Sequence, residues 1–116
     1  MRRIHEKKAQ TTTNSWYDAR YPEKRTTLTL RGRRGWPDEV YWLPGGRPLL
    51  IEFKADGEEP RKLQLHVHKQ LKENGYDIEV HTSSAEAIAS LKRHITARGG
   101  RTTALDPRAL PGGGRE

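Results

Sequence analysis

The chain has 116 residues, of which 32% are hydrophobic and 32% charged, with no cysteine and a net charge of +7. That length holds one domain with a modest core. The missing cysteines exclude disulfides and thiolate metal sites, and fit a cytoplasmic protein. No apolar run approaches the roughly 18 residues that a membrane span needs. No apolar signal core follows the basic start Met1-Arg2-Arg3, so secretion is not expected. The charge is uneven. Residues 1–36 carry ten Lys/Arg against three Asp/Glu, residues 37–97 eight against ten, and residues 98–116 four against two. A basic arm beside a mildly acidic middle suits a polyanion such as nucleic acid. A solubilising surface is the plainer explanation of the same charge.

In chain order, Arg2 to Gln10 is expected to form a short helix. Thr11-Thr12-Thr13-Asn14-Ser15 should stop it, because these side chains compete with the helix backbone. The aromatic segment from Trp16 to Pro22 would stack on bases or lie as a lid over the core. Arg25 to Arg31 alternates, with Thr27 and Thr29 on one face and Leu28 and Leu30 on the other, as a half-buried strand does. Residues 39–43 read as a second strand, Pro44-Gly45-Gly46 as a turn, and residues 49–53 as a third strand buried on both faces.

Residues 55–60 form a loop. From Arg61 to Asn74 the spacing predicts a helix whose buried stripe is Leu63, Val67 and Leu71. Gln64 and His68 lie on its flank. His66 and His68 are too far apart round the helix to chelate together, and are expected at the surface or half-buried. Asn74-Gly75 ends the helix. Residues 76–81 alternate as a fourth strand. Ser83 and Glu86 make a capping box for a last helix, with Ile88, Leu91 and Ile95 on one face. Residues 98–116, rich in glycine, proline and arginine, read as a mobile tail.

The chemistry concentrates between Arg34 and Lys54. Alternation puts Glu52 and Lys54 on one strand face and Ile51 and Phe53 on the other. A glutamate in such an apolar run is costly to bury unless something neutralises it. Asp38, at the open end of the neighbouring strand, supplies a second carboxylate. The two acids, with a backbone carbonyl and water, make an oxygen site for Mg²⁺. Such a cation binds a phosphodiester and lowers the pKa of a water. Lys54 would position that water or offset charge on phosphorus. The plainer possibility is an ordinary ion pair between Glu52 and Lys54 on a solvated face. Arg31, Arg33 and Arg34, just before Asp38, and Lys69 on the helix are candidate phosphate contacts.

Pro37-Asp38, a hairpin, then Glu52-Phe53-Lys54 resembles the PD-(D/E)xK nuclease superfamily. Arg34-Gly35-Trp36-Pro37-Asp38, Ile51-Glu52-Phe53-Lys54, Gln64 and Asn74-Gly75-Tyr76 are similar to its VRR-NUC branch, over about residues 31–95. The resemblance implies an α/β restriction-endonuclease-like core: a mixed four-stranded sheet flanked by helices, in the order αβββαβα. It implies residues 1–30 as a basic N-terminal segment with the first helix and the start of the sheet. Residues 31–97 would be the nuclease core and residues 98–116 the tail. It implies Mg²⁺ or Mn²⁺ held by Asp38, Glu52 and the Phe53 carbonyl, with Glu6 as a further ligand from the first helix. Lys54 would assist the attacking water and Gln64 would lie close to it. It further implies a homodimer that cuts branched DNA such as Holliday junctions, with flap cleavage expected of a monomer. A non-catalytic nucleic-acid-binding module and an RNA-processing nuclease stay open beside it, because no sequence-reading helix or RNA motif decides the substrate.

Overall fold

The computed structural model describes residues 2–21, 25–28 and 35–97. The order is α1 (Arg2–Arg20), β1 (Arg25–Thr27), β2 (Glu39–Trp42), β3 (Pro48–Phe53), α2 (Lys62–Glu73), β4 (Asp77–His81) and α3 (Ser84–Ala97). The four strands form one sheet in the order β1-β2-β3-β4. The first three pair antiparallel, and β4 runs parallel to β3 after the α2 crossover. This is the expected α/β mixed sheet. A parallel return needs a crossover, which the twelve residues of α2 provide.

The two faces of the sheet hold separate apolar clusters. Tyr41, Leu49, Ile51 and Phe53 face Ala9, Tyr17 and Tyr21 of the α1 side and Ala87, Leu91 and Ile95 of α3. Val40, Leu50 and Ile78 face the other way, with Leu28 and Leu71 packed against them. Strand alternation then assigns Glu52 and Lys54 to the α2 face, and Glu39 and Glu79 to the face of α1 and α3.

The first helix is nineteen residues long, not the short helix ending at Gln10 that the sequence implies. The threonine run does not break it. Thr13 is fully buried and its hydroxyl donates back to the Ala9 carbonyl at 2.8 Å. Gln10 and Asn14 donate to the Glu39 carboxylate at 2.6 and 2.8 Å. Tertiary bonds thus outweigh weak propensity. The aromatic segment is a lid on the core. Tyr17 and Tyr21 are buried, and Tyr17 meets Tyr41 edge-on at 5.0 Å. Trp16 is half-buried beneath the Arg20 guanidinium.

Two polar knots join the layers. Glu39, with no exposed surface, also accepts from Thr27 at 2.8 Å and Arg25 at 3.0 Å, tying α1, β1 and β2 together. Glu79 on β4 meets His81 at 2.7 Å, His94 of α3 at 2.8 Å and the Ser90 hydroxyl. Burial works to raise the Glu79 pKa, but the bonds from His81, Ser90 and His94 hold it down at about 2.

Gly75 ends α2 at φ 92°, and Ser83 Oγ caps α3 by accepting from the Glu86 N–H, both as expected. The end of the first expected strand and the tail from 98 onward lie outside the described residues. Gly35 sits at φ 88°, and a Cβ there would lie 2.9 Å from the Leu63 carbonyl oxygen. It lets the segment leading to Asp38 press against the first turn of α2. Gly35→Ala should therefore cost more than about 1 kcal/mol in urea unfolding, from strain and overlap together. An unchanged midpoint would show that this contact is not tight.

Candidate functional site

The register pairs Glu39 with Ile51 and Val40 with Leu50. Extending it by one residue sets Asp38 opposite Glu52, on the face that α2 covers. The backbone holds Asp38 from three directions. Its N–H donates to the Ile51 carbonyl at 3.1 Å, and its carbonyl accepts from Leu28 at 2.8 Å. Its carboxylate Oδ2 accepts from the Phe53 N–H at 2.7 Å. Burial is the main reason that the Asp38 pKa rises to about 6, with the Glu52 charge adding to it. The Phe53 hydrogen bond and Lys54 pull the other way.

Glu52 is 1% exposed and Lys54 8%. Their ion pair, Lys54 Nζ to Glu52 Oε2 at 3.2 Å, does exist, but on a buried face and not a solvated one. Burial pushes the Glu52 pKa up, and Lys54 offsets part of that rise. The two carboxylate oxygens differ. Oε1 lies 2.9 Å from His68 Nε2. Among the described residues, Oε2 has no hydrogen-bond partner. A buried carboxylate oxygen held by an ion pair without a hydrogen bond, beside a second carboxylate, suits a hard cation.

Residues on α2 correct the sequence reading in two places. His68 is buried, 6% exposed, rather than at the surface or half-buried. Burial lowers its pKa, with Lys72 and Lys54 adding to the effect. Leu63 is 47% exposed and does not belong to the buried stripe, which runs through Val67, His68 and half-buried Leu71. The helix is turned so that His68 meets Glu52, because a buried carboxylate on the facing strand needs a polar partner.

Gln64 is half-buried in the first turn of α2, where its Oε1 accepts from the Arg61 N–H at 2.7 Å. Arg61 has no acceptor to return the bond, so this is half a capping box. Glu6 on α1 comes within electrostatic reach of Asp38, Lys54 and Glu58. Its pKa rises mainly through burial, then through the Asp38 charge. Among the described residues, no three His, Cys, Asp or Glu side chains are grouped to hold a metal. Lys69 is exposed, and with Leu65, His68, Lys72, Glu73 and Val80 it lines a hollow of about 450 Å³. Arg31, Arg33 and Arg34 lie outside the described residues.

The raised Asp38 pKa has a sign that can be checked. Asp38 titrates near 3.8 in the unfolded chain and at about 6 in the fold. Between those values the folded state binds the extra proton, so this group's contribution to stability falls as pH rises through the window. In EDTA, Asp38→Asn should gain stability relative to the wild type between pH 4 and pH 7, by urea midpoints. A difference independent of pH would mean that Asp38 is not held in an environment of this kind.

No protein-family model matches the chain. It is 43% identical over 47 residues to "Putative nuclease p44" of Acyrthosiphon pisum secondary endosymbiont phage 1, a match covering 40% of this chain. The chain spans about half the length of that curated relative. A solved structure titled "VRR_NUC domain protein" superposes with a TM-score of 0.68 at 19% identity, over 78% of this chain and 88% of its own. Another, titled "VRR_NUC domain", gives 0.65 at 25% identity over 78% and 96%. No helix among the described residues is long and apolar enough to cross a membrane. Motif order, fold and phage relative agree on one family: the chain has the VRR-NUC fold and resembles the VRR-NUC proteins.

Proposed function

We propose that the chain is a metal-dependent endonuclease that hydrolyses phosphodiester bonds in DNA, selecting branched forms such as Holliday junctions or flaps. One observation supports this most: a buried Glu52 oxygen without a hydrogen bond, beside Lys54 and across from Asp38. The printed names of the phage relative and the VRR_NUC structures favour the same chemistry.

Asp38, Glu52 and the Phe53 carbonyl would hold Mg²⁺ or Mn²⁺. Mg²⁺ commonly takes only one or two carboxylates and fills its other positions with water and substrate phosphate. When bound, the cation would supply a water of lowered pKa and stabilise charge on the phosphate oxygens. The Lys54 ammonium orients the attacking water and offsets charge developing on phosphorus. Gln64 has its carbonyl committed to the helix end, so its amide NH₂ is the group to turn toward that water. Glu6 contributes through its charge near Asp38. Lys69, together with Arg31, Arg33 and Arg34, grips phosphates either side of the cut. A homodimer would present two such sites to two strands. Such a protein would act in the cytoplasm of a bacterial or phage-infected cell.

The test is a cleavage panel with Mg²⁺ or EDTA on linear duplex, single strand, flap, four-way junction and RNA. The expected result is cleavage that EDTA abolishes, faster on branched DNA than on linear duplex. Preference for RNA would make the protein an RNA-processing nuclease. Binding without cleavage of any substrate would make it a non-catalytic module.

A further inference from the structure

We propose that His68 is a positioning residue that fixes one oxygen of Glu52 so that the other is presented to a divalent cation. This rests on the reading of Glu52 as a cation ligand given above. A glutamate side chain rotates freely enough to offer either oxygen, or neither, in a useful direction. Here the oxygens are held apart in role. His68 Nε2 lies 2.9 Å from Oε1, while Oε2 has only the Lys54 ammonium 3.2 Å away and no hydrogen bond among the described residues. Both partners are buried, so solvent does not supply the bond instead.

The choice of residue matters. Position 68 lies beside Val67 as one of the buried residues of α2, the helix whose Leu71 packs against the Val40, Leu50 and Ile78 cluster. An apolar side chain there would leave the buried Glu52 Oε1 without its partner. A lysine or arginine would pair with the carboxylate as a full charge and compete with a cation. The imidazole at 2.9 Å restrains Oε1 alone and leaves Oε2 free to meet a cation. Outer partners of this sort orient ligand carboxylates and tune metal affinity.

The experiment is calorimetric titration of Mn²⁺ into the full chain at pH 8, with urea unfolding as a check on folding. His68→Leu should lose about 10–100-fold in Mn²⁺ affinity. His68→Gln, whose amide N–H reaches the same oxygen, should stay within about threefold of the wild type. If the leucine variant does not fold, His68→Asn takes its place, being polar but too short to reach Oε1, with the same expected loss. A merely structural role would move the urea midpoint and leave the Mn²⁺ affinity of the folded variants unchanged, which overturns the inference alone. Failure of the wild type to bind Mn²⁺ would overturn the metal reading and this inference with it.

Discussion

Lys54→Met should lower cleavage at saturating DNA by at least about 10²-fold, the scale seen when one preorganised electrostatic contact to a developing charge is lost. Methionine keeps the length and apolar stem of lysine, so packing of the 8%-exposed side chain is preserved while its charge goes. The ammonium lies 3.2 Å from Glu52 Oε2, close enough to act on anything bound there. Removing it also removes a positive charge from beside the expected cation. At pH 8, above the Asp38 pKa of about 6, Mn²⁺ affinity should hold or rise. DNA binding should be nearly unchanged, because phosphate contacts spread over many basic residues dominate it. Loss of activity, metal binding and folding together would instead make Lys54 a structural counter-ion for Glu52.

The largest stability effect is expected far from the chemistry. Arg25→Met removes the only cation within salt-bridge distance of Glu39, at 3.0 Å, among the described residues. Breaking a buried pair costs about 3–5 kcal/mol, because it strands the remaining charge. Gln10, Asn14 and Thr27 still donate to the carboxylate, which places the cost near the lower end, about 3 kcal/mol. In a domain of this size that lowers Tm by roughly 10–20 °C. The other end of the same arginine is a useful contrast. Asp18 pairs with Arg25 at 2.6 Å but is 45% exposed, so Asp18→Asn should cost no more than about 1 kcal/mol. If both variants lose equally little, neutral donors alone suffice to hold Glu39.

Much of the site is legible in the sequence because strand alternation is strict. An acid and a lysine two apart in an apolar run must share a face, and a short hairpin must bring the preceding strand back beside them. Sheet order follows as well, since a helix between two strands permits a parallel return. The side chains that support the site are harder to see. Glu39 follows Asp38 directly, so alternation sends it to the opposite face, yet nothing local says that Gln10, Asn14, Arg25 and Thr27 converge there. The threonine run in α1 looks like a helix stop because its compensation, the Glu39 network and buried Thr13, comes from distant strands. His68 has a faint signal in its place beside the apolar stripe. Its partner is set by the rotation of α2 against the sheet, which spacing leaves free by about one residue.

The claim on which the rest depends is that Asp38, Glu52 and Lys54 surround one oxygen-ligated cation site. The most direct measurement is anomalous diffraction from a crystal of the protein soaked in Mn²⁺. We expect a single strong peak between the Asp38 carboxylate and Glu52 Oε2, at oxygen-ligand distances of about 2.0–2.4 Å, and its disappearance in Asp38→Asn. A peak elsewhere on the chain, or none at saturating Mn²⁺ with the same side-chain positions, would contradict it.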